Sequence, residues 1–182
     1  PIQVTPTAVG PSDISRMIIT LTNPSATTTL TGLTITDTFP VTATKVAGGT
    51  LNAGLQVVYP PTVGSVLPVT TCTGGILTDS AGAALALGST SIKLAAATLA
   101  PGASCSIEVD VQSIDHTPAI YSNVTDKVGS NQGIGLSGSD TLTITTRPTI
   151  KKSFVTSPVT LVAGSATSVM SIVIENNSAA DL

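Results

Sequence analysis

The chain's single histidine, His116, stands beside Asp115 and just ahead of Thr117 and Pro118. A hydroxyl nucleophile needs such a base within hydrogen-bond reach, and a turn that presents it. No Gly-x-Ser-x-Gly elbow occurs, so His116 reads as a solvated loop residue. Glu108 and Asp110 lie two apart on one face of a predicted strand, with Asp115 close behind, an arrangement that could gather a cation. A calcium loop needs a denser run of carboxylates and a glycine at its sharp turn, so these acids read as a polar outer face. Gly133, Gly135 and Gly138 spell Gly-x-Gly-x-x-Gly. The phosphate-binding form of that string opens a helix, whereas here strand-like Thr141–Thr145 follows, and a hairpin loop is expected.

Covalent chemistry offers three further candidates. Cys72 and Cys105 have no metal-type spacing and no Cys-x-x-Cys. They read as one disulfide closing a long loop, which places the chain outside the cytosol; two buried free thiols are the alternative. Asn123 and Asn176 sit in Asn-Val-Thr and Asn-Asn-Ser, acceptor sequons for N-glycosylation. A lysine can also cross-link to an asparagine when a buried acid promotes the reaction. Lys45, Lys93 and Lys127 supply amines, but no spacing singles out a partner, and they read as surface lysines. Asp13, Asp37, Asp126 and Asp140 fall near strand ends, where aspartate commonly serves turns. No catalytic set, metal site or cofactor site emerges.

The elements that must position these residues are strands. Charged residues make up 9% of the 182, threonine occurs 31 times, and there are four aromatics and no tryptophan. β-Branched residues at this density suit a pleated, half-buried surface. Period-two alternation recurs between clusters of Gly, Pro, Asn and Ser. It sets Met17, Ile19 and Leu21 against Thr20 and Thr22, and Leu33, Ile35 and Phe39 against Thr34, Thr36 and Thr38. It also sets Cys105, Ile107, Val109 and Val111 against Ser106, Glu108 and Asp110, and Leu142 and Ile144 against threonines. Shorter candidates span Leu55–Tyr59, Val69–Thr73, Ser91–Leu94 and Ile120–Val124. Ala81–Leu87 is the one short stretch that reads as helix. The fold class is therefore all-β, an antiparallel two-sheet β-sandwich.

Composition excludes several partners. The formal charge is −3 and no basic cluster exceeds Lys151 and Lys152, so nucleic acid finds no phosphate grip. The longest apolar runs fall far short of a membrane span. A mean hydropathy of +0.45 with so little net charge argues against disorder.

The opening of the chain returns at an offset of 153. Thr7, Val9, Ser12, Ser15, Met17, Ile19, Asn23, Ser25 and Ala26 recur as Thr160, Val162, Ser165, Ser168, Met170, Ile172, Asn176, Ser178 and Ala179. Residues 1–147 thus read as one complete repeat. Residues 148–182 read as a linker and the first strands of a second, with Arg147 and Pro148 at the joint. Self-similarity at long period marks an array that supplies length and surface. The pieces Lys151–Thr156 and Ser168–Asn176 are expected to carry inter-subunit contacts through Lys151, Phe154, Val169, Ile172 and Ile174, because unpaired strand backbone needs partners.

Across the whole chain, LTNP (21–24), LTGLTITDTFP (30–40), Cys72 with Gly74 and Gly75, LAPGASCSIEVDV (99–111), TPAIYSN (117–123) and IKKSF (150–154) follow in order. This succession resembles an Ig-like repeat found in tandem in large bacterial and archaeal surface proteins and catalogued as a domain of unknown function. The resemblance implies adhesins, cell-surface stalks and extracellular fibres, and it brings no enzymatic residue. The long interval from Val41 to Thr71 departs from the pattern and reads as an extra hairpin or contact loop. The expected function is a non-catalytic structural module outside the cell, partnered by copies of itself or adjacent repeats. The alternative is a module that recognises glycan or a host protein through its end loops, for which Tyr59 and Tyr121 are the only tyrosines available to stack on a sugar.

Overall fold

The computed structural model describes residues 2–5, 7–58, 69–154 and 168–175, and among them no helix forms. In chain order the strands are β1 (Ile2–Thr5), β2 (Ala8–Val9), β3 (Ser15–Thr22), β4 (Leu30–Thr38), β5 (Ala43–Lys45) and β6 (Thr50–Leu51). Next come β7 (Leu55–Val57), β8 (Val69–Thr70), β9 (Ile76–Thr78), β10 (Ser91–Leu99), β11 (Ser104–Ser113) and β12 (Ala119–Val124). The last are β13 (Gly129–Ser130), β14 (Gly133–Ile134), β15 (Ser139–Ile144), β16 (Thr149–Phe154) and β17 (Met170–Glu175). The chain divides into two compact units, 1–144 and 145–182.

In the first unit one sheet runs β1-β3-β11-β7, with β8 also on β11. β7 and β8 sit one after the other along the same edge of β11, at Val111–Ser113 and at Ile107–Glu108. Two further runs, β14-β13-β4-β10-β9 and β2-β15-β12-β5-β6, adjoin where the chain leaves β12, since Asp126 N–H donates to Thr36 O at 2.8 Å. Among the described residues every pairing is antiparallel except β2 on β15.

Alternation decides what each strand buries. On β3, Met17, Ile19 and Leu21 are buried; on β11, Cys105, Ile107, Val109 and Val111 are. They close on Leu33 and Ile35 of β4, Leu94 of β10, Tyr121 of β12, and Leu142 and Ile144 of β15, in one apolar core. At 25 cal/mol per Å², side chains of this size each contribute roughly 1.5–3 kcal/mol on full burial. The Tyr121 phenol, fully buried, donates to Ser113 Oγ at 2.6 Å, and Ser113 Oγ in turn donates to Asp115 O. That pair ties the start of β12 to the end of β11 across the turn between them.

Three local expectations give way. Ala81–Leu87 is not helical: Gly82 adopts φ +88°, and Asp79 accepts from Gly82 N–H and Ala83 N–H, closing a turn. Ser91–Leu94 continues to Leu99 because a bulge at Ala96, φ +61°, absorbs a register shift against β4. Asp37 is no turn residue; it lies in the inward row with Leu33, Ile35 and Phe39 and is buried. The interval from Val41 supplies the hairpin β5–β6 at the edge of β12, and then β7 and β8.

The second unit pairs β16 with β17 in register from Thr149↔Glu175 to Phe154↔Met170. Ile150, Lys152 and Phe154 stand opposite Ile174, Ile172 and Met170 on one face. The polar Ser153 and Ser171 oppose each other on the other.

Candidate functional site

The most unusual chemistry of the first unit is in its interior. Period two carries Asp37 inward on β4, and on β12 it carries Asn123 inward in phase with Ala119 and Tyr121. Both side chains are buried, and Asn123 Nδ2 donates to Asp37 Oδ2 at 2.7 Å. The same nitrogen lies 3.4 Å from Met17 Sδ on β3. Asp37 Oδ1 and Asn123 Oδ1 are both buried without a hydrogen-bond partner. Burial disfavours the charged carboxylate and pushes Asp37 up from 3.8 to about 6. The bond from Asn123 pulls the other way, and the nearby charge of Asp126 adds to the rise.

This centre corrects one expectation outright. Asn123 is 3% exposed and its nitrogen is engaged, so a glycan on that atom is incompatible with the packing. The sequon marks an inward position that its flanking residues disguise. The second sequon residue, Asn176, and Tyr59 lie outside the described residues. Lys45 and Lys93 are half-buried and Lys127 is exposed, and the group held against the amide is the Met17 thioether instead.

The remaining candidates are scattered. His116 is exposed and its Nδ1 meets Ser12 Oγ at 3.1 Å. Ser12 has a left-handed φ of +68°, and its carbonyl accepts from Gln112 Nε2. The Asp115 carboxylate turns instead to Thr117, whose hydroxyl and backbone N–H, the latter at 2.7 Å, hold it below the usual range. Ser12, His116 and Asp115 therefore do not form a relay. Asp110, expected on a polar outer face, is buried and paired with Arg16 at 3.0 Å, a bond that raises the guanidinium further. Among the described residues no group of three His, Cys, Asp or Glu side chains could hold a metal. Gly133 opens β14 of a tight hairpin with β13, so the glycine string is a loop.

Cys72 and Cys105 form a disulfide with Cα atoms 4.9 Å apart. The β8–β11 ladder, carried one step on by Thr71 N–H donating to Ser106 O, sets the two residues directly across from each other. An opening of about 520 Å³ lies between β3 and β4 beneath the β13–β14 hairpin. Leu21, Leu33, Ile134 and Leu136 are among its lining, which contains no charged residue. It can accept apolar groups and has no acid or base to act on them. Lys151, Phe154, Val169, Ile172 and Ile174 are all exposed in the second unit, Val169 just ahead of β17.

The model of a domain of unknown function, DUF7933, matches residues 3–144. The chain belongs to the DUF7933 family. The match covers nearly all of the first unit and includes Asp37, Asn123 and both cysteines. No curated protein matches this DUF7933 chain. Among solved structures it is similar to domains D2 and D3 of the major pilin SpaD from Corynebacterium diphtheriae, at 13% identity and TM-score 0.38, over 91% of this chain and 57% of that one. It is also similar to BcpA, the major pilin subunit of Bacillus cereus, at 8% identity and TM-score 0.35, over 98% and 55%. The DUF7933 chain thus spans a little over half the length of these pilin chains. Likeness at this level assigns no function.

Proposed function

We propose that this chain is a non-catalytic structural module of an extracellular repeat array, a surface stalk segment or filament subunit, whose copies join by strand addition through residues 150–182. The observation that carries this reading is the second unit. β17 is the copy of β3, with Met170, Ile172 and Ile174 the counterparts of Met17, Ile19 and Leu21, and it pairs antiparallel with β16. The first three are 47%, 55% and 65% exposed, whereas their counterparts are at most 5% exposed. A two-stranded hairpin is marginal alone, and a sheet with one apolar face needs a second layer. β16 carries Lys151 and Lys152, which discourage pairing at its edge. β17 carries no lysine or proline, so its edge is the one suited to a further strand. The disulfide supports an oxidising compartment.

Sedimentation of the full chain over a wide concentration range, with electron microscopy of the assembled material, tests this. Concentration-dependent association ended by Ile172→Lys is expected. A monomer at every concentration, or association indifferent to that substitution, refutes the joining role.

A further inference from the structure

Asp37 Oδ1 and Asn123 Oδ1 present a problem of hydrogen-bond arithmetic. Both are buried and neither has a partner. An ionised carboxylate and an amide oxygen are both acceptors, so they cannot satisfy each other. A buried acceptor left unsatisfied costs about 1–3 kcal/mol, more when it bears charge. One proton on Asp37 Oδ1 changes the count, because the group becomes a donor while Oδ2 still accepts from Asn123 Nδ2.

We propose that Asp37 is a carboxylic acid in the stable folded protein, its Oδ1–H donating to the Asn123 carbonyl oxygen, so that acid and amide close a two-bond ring that locks β4 to β12 and is released when the proton leaves. Apart from the Asn123 N–H, which favours the carboxylate, the surroundings favour the neutral form. Met17 of β3 lies against the amide, and Ile92 of β10 is paired with Asp37 across the ladder. Among the described residues no cation is bonded to Asp37: Arg16 is committed to Asp110, Lys93 sits opposite Thr36, one place along in the β4 ladder, and Asp140 accepts from Val4 N–H and Thr141 N–H. Asp126, just beyond β12, repels a second negative charge.

The direction of the pH dependence follows. The folded chain holds its proton up to about 6, while the unfolded chain releases it near 3.8. Stability is therefore complete below 3.8 and falls as pH rises through about 6, the reverse of ordinary carboxylate-driven acid unfolding. The lock favours the fold in mildly acidic surroundings and weakens it in neutral ones. The folding equilibrium should fall roughly a hundredfold across this window, tenfold for each unit between the two values.

Two measurements on the full chain test the lock. Carbon-detected NMR of the Asp37 carboxyl should show a midpoint well above 3.8, in step with a shift of the Asn123 amide protons. Urea unfolding from pH 4 to pH 8 should lose stability in the wild type but not in Asp37→Asn, whose amide keeps both ring bonds without a titrating proton. Asp37→Asn should match the wild type at pH 4 and exceed it roughly a hundredfold at pH 8, as the same linkage requires. An Asp37 midpoint at or below 3.8 overturns the proposal even if the variant fails to fold. So does an undiminished pH dependence in Asp37→Asn.

Discussion

Reducing the Cys72–Cys105 bridge should weaken the module at rest and lengthen it under load, and its position in the fold sizes both effects. The bridge joins residues 33 apart in sequence, and closing a loop of that length removes unfolded-state entropy worth roughly 3.7 kcal/mol. Both cysteines are buried beside the β8–β11 ladder, so the reduced thiols keep their packing and the loss is mainly the regained freedom of the unfolded chain. For a domain of this size that corresponds to a fall in Tm on the order of 10 °C. Under tension the intact bridge withholds the residues between the two sulfurs. At about 3.4 Å per extended residue, reduction should add roughly 110 Å to the length released when the module unfolds. Urea denaturation with and without reductant checks the first figure, and single-molecule stretching checks the second. Destabilisation below about 1 kcal/mol, against the loop-closure estimate, would refute the reasoning. Equal released lengths in the two redox states would refute it independently.

Tyr121→Phe removes the phenol that donates to Ser113 Oγ and should cost about 1 kcal/mol, read as a lower urea midpoint at unchanged slope. Gly54→Ala places a Cβ 2.7 Å from Pro40 O and 3.1 Å from Val41 Cα; both are backbone atoms that cannot step aside, and a loss of about 1–3 kcal/mol is expected in the same assay. Met17→Lys brings an amine beside the Asn123 amide: Met17 Sδ, which stands where the lysine Cδ would, is 3.4 Å from Asn123 Nδ2, and the amine nitrogen lies two bonds further along. Burial holds that amine neutral and the acid at Asp37 polarises the carbonyl. The expected product is an amide joining β3 to β12, seen as an intact mass lower by one ammonia. An unchanged mass in a folded variant, or a product formed equally well with Asp37→Ala added, would contradict this.

Much of the fold was legible because alternation is a local property. On β3 and β11 the apolar residues expected to face inward are buried, since successive side chains on a strand must point to opposite faces, but Asp110, expected on the outer face of β11, is buried as well. The same signal was available for the buried centre and was overruled by residue type. Asp37 is in phase with Leu33, Ile35 and Phe39, and Asn123 with Ala119 and Tyr121. Reading phase before polarity would have turned both inward. Ala81–Leu87 failed differently: its alanines favour helix, but Gly82 takes a backbone angle that ends a turn. β7 and β8 fall inside the candidates Leu55–Tyr59 and Val69–Thr73, whereas β5, β6 and β9 are two or three residues long, too short for periodicity to speak.

The linear chain alone established which face the apolar residues of each long strand turn inward and that its opening is copied 153 residues later. Each of these depends on neighbours within a few residues or on comparing the chain with itself. Tertiary structure alone decided what lies across each face. Asp37 and Asn123 are 86 residues apart, and no local rule says that two inward polar groups will meet. Only the packing of β4 and β12 around Met17 brings acid and amide together, and only the exclusion of water there gives the pair its chemistry.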